Sequence, residues 1–582
     1  MYEDILLQVM KPGRYIGNEW NVSKKDFGKS FVKFALCFPD LYEVGMSNLG
    51  VRILYGILNN IEDVVCERVF ACALDMEKIL RELKREILSL ESKKPLKEFD
   101  ILGFSLGSEL GYTNILNILD LGNIPLRAQE RDNSFPLVIG GGPCVLNPEP
   151  MHEFFDLFFI GEGEDFIKEF IDLYRKNKEE FKAGRISKKD LLMVFSKIEG
   201  VYVPSFYDVA YDSNGKFLEF KAKSEQFPQP IKKRFVSDLN KSFYPVEWLT
   251  PYIQIVHDRL AVEITRGCPN RCRFCQARSC YFPLRQRNVE NIVDLAKTMY
   301  KNTGYDEVSL LGLSVSDYAY IEKLVSQLTE YFKEKAVNIS LPSVKAKTMV
   351  GNLSTVIASV KKTGLTFAPE AGTQKMRDLL AKDFDEEQFF KALEQAFISG
   401  YQHVKLYFMI GLPFETNEDL DGIADLSLRV SDLRRKVAKY PAQVNVSINT
   451  LIPKPHTAFQ WFGMPSSEEI KEKQMYLRNK IKNRKITLSF QSRDVSFVEA
   501  VFSRGDRRLS EVVLSAFKNG ARFDAWNEHF SIDKWLAAFS QTGIAPGYYL
   551  EQIERSQQLP WDFIDVGIPK QSIMLEANEI SA

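Results

Sequence analysis

Twice along this chain short apolar runs alternate with amphipathic helical patterns, and that alternation limits the fold more than any other feature of its 582 residues. In the first series "FVKFALCF" (Phe31–Phe38), "VVCERVF" (Val64–Phe70), "FDILGFSL" (Phe99–Leu106), "PLVIGG" (Pro136–Gly141) and "FDLFFIG" (Phe155–Gly161) read as strands. Helical patterns fall near Asn48–Asn60, Asp75–Leu90 and Leu110–Leu121, and another follows Gly163. The order predicts an α/β domain over residues 30–180, a doubly wound, Rossmann-like parallel sheet with a ligand at the carboxyl ends of its strands. The loops at those ends suit a ligand. "FPDLYEVG" follows the first strand and "IGGGPCVLNPEP" the fourth, where Gly140, Gly141 and Gly142 let backbone approach a bound molecule without a Cβ in the way.

Residues 1–29 form an N-terminal extension ahead of this domain, and residues 181–255 a connector. In the connector Val203–Ala222 has the alternation and the Asn214-Gly215 turn of a β-hairpin, and "FPQPIKKRFV" reads as extended. The second series covers residues 256–490: "LAVEIT" (Leu260–Thr265), "DEVSLLGLS" (Asp306–Ser314), "NISLPSVKA" (Asn338–Ala346), "LTFAPEAG" (Leu365–Gly372), "HVKLYFMIGLP" (His403–Pro413) and "VNVSINTLIPKPHT" (Val444–Thr457). That order suits a partial (β/α) barrel, whose chemistry sits at the carboxyl ends of its strands. Residues 491–582 read as short helices, with Leu509, Val512, Val513, Ala516 and Phe517 at helical spacing and Asn519-Gly520 as a stop. Trp526, His529, Phe530 and Trp535 are expected to pack these helices on the barrel, and His456 in "PKPHT" is read as a packed histidine.

The first barrel strand runs into "ITRGCPNRCRFCQARSCYFPLRQR", which holds Cys268, Cys272 and Cys275 within eight residues and Cys280 five further on. Eight cysteines in a large chain, three of them bunched, argue against a disulfide framework, which is mainly a device of small secreted domains. Two metal readings remain. Three thiolates can hold a [4Fe–4S] cluster by three irons and leave the fourth open to a chelating cosubstrate. A structural zinc needs a fourth ligand, for which Cys280 is available.

The Cys-x3-Cys-x2-Cys spacing, with aromatic Phe274 before the third cysteine, resembles the radical S-adenosylmethionine (SAM) superfamily. That resemblance implies a [4Fe–4S] cluster on Cys268, Cys272 and Cys275, with SAM chelated on the open iron. By the same analogy Ser314, Ser316 and Asp317 lie near the methionine end of SAM, Ser343 and Lys345 near its ribose or carboxylate, and Glu370 near its ribose or amine. The Ile410-Gly411 backbone flanks the adenine. The first domain resembles cobalamin-binding domains, which carry Asp-x-His-x-x-Gly after the first strand. Here the run is Asp40-Leu41-Tyr42-Glu43-Val44-Gly45, so cobalamin is expected without a protein histidine on cobalt. Over nearly its whole length, through "RGDRRLSEVVLSAFKNGARFDAW" and "LPWDFIDVGI", the chain is similar to an uncharacterised family of cobalamin-binding-domain radical SAM proteins with a helical C-terminal segment.

The resemblance implies reductive cleavage of SAM to methionine and a 5′-deoxyadenosyl radical, hydrogen abstraction from substrate, and methylation of an unactivated carbon. The alternatives within enzymes are cobalamin-dependent rearrangement, oxidation or sulfur insertion. The alternative of another class is a zinc-containing, non-catalytic RNA- or ribosome-binding protein, using the thirteen Lys/Arg against five Asp/Glu of residues 471–522. The expected partners are a substrate of unspecified class and an electron donor such as flavodoxin or ferredoxin. With no signal-like start and no apolar stretch of spanning length, the protein is expected to be cytoplasmic and to lack a membrane partner.

Overall fold

The computed structural model describes residues 2–341 and 364–581. Ser343 and Lys345 lie outside the described residues. The chain divides into two compact units, one of residues 1–258, 501–546 and 556–567, the other of residues 259–500, 547–555 and 568–582.

The first unit is built on a six-stranded sheet of β1 (Val32–Phe38), β2 (Val64–Phe70), β3 (Ile101–Ser105), β4 (Leu137–Gly141), β5 (Leu157–Phe159) and β6 (Val201–Tyr202) in the order β2-β1-β3-β4-β5-β6. All neighbours are parallel except β5 and β6. Every residue of β2 is buried, and β1, β3 and β4 are nearly so. That is why these strands read as continuous apolar runs rather than as an alternation: helices cover both faces of such a sheet. The sheet order reverses between β1 and β3, so the crevice outside their carboxyl ends is the topological switch point, where ligands of doubly wound folds bind.

The helix expected over residues 75–90 spans only Leu74–Glu82. Lys84 takes a left-handed conformation (φ 52°), and the N–H of Arg85 turns back to the carbonyl of Leu80 (2.8 Å). The helix thus closes on the motif that usually needs glycine, and Ile87 N–H then bonds Leu121 O (2.9 Å). The hairpin forms as β7 (Tyr207–Tyr211) and β8 (Phe217–Ala222), and β9 (Ile231–Lys232) pairs in parallel with the short strand Ile564–Asp565.

The second unit carries two parallel sheets in the manner of a partial (β/α) barrel. One joins β10 (Leu260–Glu263), β13 (Glu307–Leu311) and β14 (Asn338–Ser340). The other joins β15 (Leu365–Glu370), β16 (His403–Ile410), β17 (Gln443–Thr450) and β18 (Ile486–Phe490). One face of the four-stranded sheet packs Val404, Leu406, Phe408, Val444, Val446 and Ile448 on helices that include Glu386–Ile398 and Asn417–Ala438. Between β10 and β13, the short antiparallel pair β11 (Thr265–Arg266) and β12 (Arg285–Gln286) pinches off residues 267–284 as a closed loop. Among the described residues no helix is long and apolar enough to cross a membrane.

Candidate functional site

The pinched loop carries Cys268, Cys272, Phe274 and Cys275, all partly exposed. Its neck depends on Gly267 (φ 88°), where a Cβ would stand 2.7 Å from the carbonyls of Tyr281 and Pro283. Helix Gln276–Cys280 follows directly; burial pushes the Cys275 thiol up, the nearby backbone N–H groups of Arg278 and Ala277 pull it down, and the Arg278 N–H hydrogen bond itself goes to Cys275 O (3.2 Å). Burial likewise pushes the Cys272 thiol up to about 11, while the Lys382 ammonium pulls it down. Asn270 donates to the Cys268 sulfur (3.3 Å) and to Asp317 Oδ2 (2.9 Å), and Ser314 Oγ donates to the same carboxylate oxygen (2.7 Å). Two of the three strand-end residues expected after β13 are therefore tied to the first cysteine through one amide, and Ser316 lies in the same turn, Val315–Asp317.

The ends of β15 and β16 supply the rest. Glu370 closes β15 with φ 69° after a register break, burial raises its carboxyl, and Lys382 meets it at 3.4 Å. Lys382 acts on both Glu370 and Cys272, so the end of β15 and the cysteine loop face the same cation. Gly411, just beyond buried Ile410, has φ 78° and donates its N–H to Glu415 Oε2 (3.0 Å), which also takes Lys473 Nζ at 2.7 Å. Asn270 and Lys382 were not singled out in the sequence. A lone Asn between two cysteines and a Lys a hundred residues downstream carry no pattern.

Distant segments hold the loop in place. The Arg273 N–H reaches Leu380 O (3.0 Å), Ser279 Oγ reaches His456 O (2.7 Å), and Arg278 grips Glu576 with two 2.8 Å hydrogen bonds while Arg273 pairs with Glu579. His456 is buried, as expected of a packed histidine. The loop fits a cluster: three thiols on one closed turn, with an amide donor already on the Cys268 sulfur and backbone N–H groups near that of Cys275. No group of three or more His, Cys, Asp or Glu that could hold a single metal ion occurs among the described residues.

In the first unit the residues expected at a cofactor are largely occupied. Asp40 Oδ1 accepts from Trp526 Nε1 (2.9 Å) and from Leu41 N–H (2.7 Å). Tyr42 is buried and donates to Glu19 Oε1 (2.9 Å), itself ion-paired with buried Arg68 (2.8 Å). A Cβ on Gly45 would stand 2.3 Å from Phe70, so that glycine serves packing. Gly140 is similarly close to Phe158, and Gly142 (φ 112°) to the Leu106 backbone. Gly141, and Gly107 after β3, have essentially open space where a Cβ would point. The ends of β3 and β4 therefore leave backbone open at Gly107 and Gly141, while Asp40 and Tyr42 are engaged in hydrogen bonds within the protein.

Residues 522–526 line the same crevice: Phe523 N–H bonds Asn114 Oδ1 (2.9 Å), Asn114 Nδ2 bonds Pro39 O (2.9 Å) and Thr113 Oγ1 bonds Asp524 Oδ2 (2.8 Å). Trp526 and Trp535, expected on the barrel, instead belong to the doubly wound unit, where Trp535 Nε1 bonds Asp524 Oδ1 at 3.0 Å. In the basic stretch of residues 471–522, Lys471, Lys473, Lys480, Arg493, Arg507, Arg508 and Arg522 stand in ion pairs.

Comparison with known proteins agrees with this geometry. Residues 50–204 match the family described as radical SAM proteins, N-terminal, and residues 262–427 the radical SAM superfamily. An uncharacterised protein of Methanocaldococcus jannaschii is 29% identical over 521 residues, covering 89% of this chain and 98% of that protein. The tRNA-2-methylthio-N(6)-dimethylallyladenosine synthase of Petrotoga mobilis is 23% identical over 218 residues, covering 36% of this chain and 49% of its own. The solved cobalamin-dependent SAM radical enzyme OxsB aligns at 14% identity with a TM-score of 0.46, over 88% of this chain and 71% of that one. The chain carries two radical SAM domains, the N-terminal domain over residues 50–204 and the superfamily domain over residues 262–427.

Proposed function

We propose that this protein is a radical SAM enzyme that opens an unactivated C–H bond of its substrate and methylates the carbon, with a [4Fe–4S] cluster, SAM and cobalamin as cofactors. The observation that carries the reading is the closed loop of Cys268, Cys272 and Cys275, with the Asn270 amide on the Cys268 sulfur and with Asp317, Glu370 and Gly411 at the ends of β13, β15 and β16. When bound, the cluster supplies one electron to SAM, whose cleavage yields the hydrogen-abstracting radical. The chain's own part is to orient. Cys268, Cys272 and Cys275 would hold three irons, Ser314 and Asp317 would take the polar methionine end of SAM, Glu370 its ribose or amine, and Gly411 would let the adenine lie against backbone. For cobalamin the residues that would hold it are Gly107 and Gly141, where backbone is open, and the group would supply a methyl donor.

The first test is anaerobic reconstitution of the full chain followed by metal analysis and assay of 5′-deoxyadenosine formed from SAM. Iron near about four per chain and 5′-deoxyadenosine formation are expected, both lost in Cys272→Ala. Zinc in place of iron, or product formation that survives the substitution, would overturn the assignment. A second reading, sulfur insertion, is favoured by the match to the methylthio-forming Petrotoga enzyme. A product gaining a methylthio group rather than a methyl group separates the two.

A further inference from the structure

The side of the four-stranded sheet that turns away from the helices is unlike the interior of an ordinary (β/α) barrel. Such interiors are filled by layers of branched apolar side chains. Here, strict alternation sends Val404, Leu406, Phe408, Val444, Val446 and Ile448 into the helix layer, where each is at most 1% exposed. The intervening residues form rows across the opposite face. Thr366, Lys405, Asn445 and Thr487 are direct neighbours on four successive strands, and Tyr407 pairs with Ser447 in the next row. All four residues of the first row are exposed. Adjacent strands lie about 4.8 Å apart, so the first row presents hydroxyl, ammonium, amide and hydroxyl groups across roughly 15 Å.

The charge on this face is one-sided. Lys405 Nζ rests 4.6 Å from the Tyr407 ring centroid and has no carboxylate partner among the described residues. Neither row contains Asp or Glu. Glu370, at the carboxyl end of β15, is already matched by Lys382. An apolar substrate would leave the row's amide and ammonium groups desolvated without partners, which costs on the order of a few kcal/mol per group. A cationic substrate would meet the lysine. A polar substrate with an anionic oxygen group satisfies both the rows and the charge. Glu370 and Gly411, which would take SAM, stand at or just past the ends of β15 and β16; Lys405 lies five residues, about 17 Å, short of the end of β16, so an extended molecule with its anion at Lys405 would have its other end toward the reacting centre.

We infer that the face of β15–β18 opposite its packed helix layer is the substrate wall of the enzyme and takes an elongated, hydrogen-bond-rich molecule bearing a phosphate or carboxylate, with Lys405 on the anion and Thr366, Asn445 and Thr487 beside it. The inference rests on the radical SAM reading for its role in catalysis, but the anion site can be tested without turnover.

The probe is pyridoxal 5′-phosphate on the full chain, with pyridoxal as the control lacking phosphate. The aldehyde condenses with the lysine amine, releasing water, and borohydride delivers hydride to the imine to fix the label, whose position is read by peptide mass spectrometry. Lys405 is expected to label at least about tenfold faster with the phosphate form than with pyridoxal, inorganic phosphate is expected to protect it, and Asn445→Ala with Thr487→Val is expected to remove most of that preference. Equal labelling by the two aldehydes would overturn the proposal, as would a rate no greater than that of other exposed lysines or a lack of protection by phosphate. Failure of the radical reading shows separately, as absence of 5′-deoxyadenosine from the reconstituted wild type.

Discussion

Glu576 is 298 residues from Arg278 in sequence, yet it accepts two 2.8 Å hydrogen bonds from that guanidinium, three residues after Cys275. The side chains are only 19% and 20% exposed, so the pair is neither freely solvated nor fully desolvated. Hydrogen bonds to charged groups contribute about 1.5–3 kcal/mol net, and partial exposure favours the lower part of that range. Replacing Glu576 by Gln keeps the shape but leaves one charged donor poorly matched, so the docked state of helix Lys570–Ser581 should weaken by about 2 kcal/mol, roughly a thirtyfold rise in its undocked population. Hydrogen exchange of the amides of that helix reads this population directly. Iron incorporation on anaerobic reconstitution should fall alongside it, since the same arginine fixes the short helix that directly follows Cys275. Arg278→Met alone should act to a similar degree, and the double variant should cost less than the sum of the two. Additive effects, or exchange rates within about twofold of wild type, would show that the carboxylate is not what holds the loop.

Three other outcomes follow from the same structure. His152 is half-buried, its Nδ1 against Glu149 O and Ser510 Oγ, and loss of solvent around the ring lowers its imidazole to about 3. The unfolded chain then takes up the proton first, near the ordinary value of about 6.5, so this contribution to stability is complete above that pH and declines below it. About 2 kcal/mol should be lost by pH 5, and urea titrations of His152→Gln should show a flatter dependence between pH 7 and 5. Lys382→Gln removes the cation beside Cys272 and Glu370 and should make the cluster harder to reduce, with a tenfold change in the reduction equilibrium read as about 59 mV in a one-electron titration followed by electron paramagnetic resonance. Trp526→Phe deletes the donor to Asp40, whose carboxyl burial already raises, and should destabilise the first unit by about 1–2 kcal/mol in a thermal melt.

Continuous apolar runs marked β1 to β5 in the sequence because the sheet is covered on both faces, and β10, β13, β15, β16 and β17 were marked by the same apolar content. β18 was missed. "ITLSF" is five residues long, and its alternate Thr487 and Ser489 face away from the core, so its apolar content is too low to stand out from a loop. The overlong helix at residues 75–90 has a different cause. Nothing in "RELKREIL" is a helix stop, and the turn at Lys84 is fixed by hydrogen bonds to Leu80 and Leu121 that only the folded chain supplies. The cysteine triplet was legible because three metal ligands must fall close together on one turn. Its supports were not, because Asn270 meets Asp317 only once β10 and β13 lie side by side, and Lys382 meets Glu370 only once helix Gln374–Leu379 turns the chain back toward the end of β15.

The C-terminal segment shows the same limit at the level of domains. Its helical periodicity is visible in the sequence, but periodicity gives the apolar face and not the surface it packs on. Residues 501–546 and 556–567 cluster with the doubly wound unit, and residues 547–555 and 568–582 with the barrel unit. The assignments have local chemical causes. Ile564–Asp565 extends a backbone ladder with β9, Asp524 and Trp526 satisfy buried donors and acceptors around β1, and Glu576 and Glu579 answer two arginines of the cysteine loop. Each is a polar match between residues hundreds of positions apart, worth about 1–3 kcal/mol when buried. Matches of that size decide where a short amphipathic helix docks when its apolar face alone would accept more than one partner.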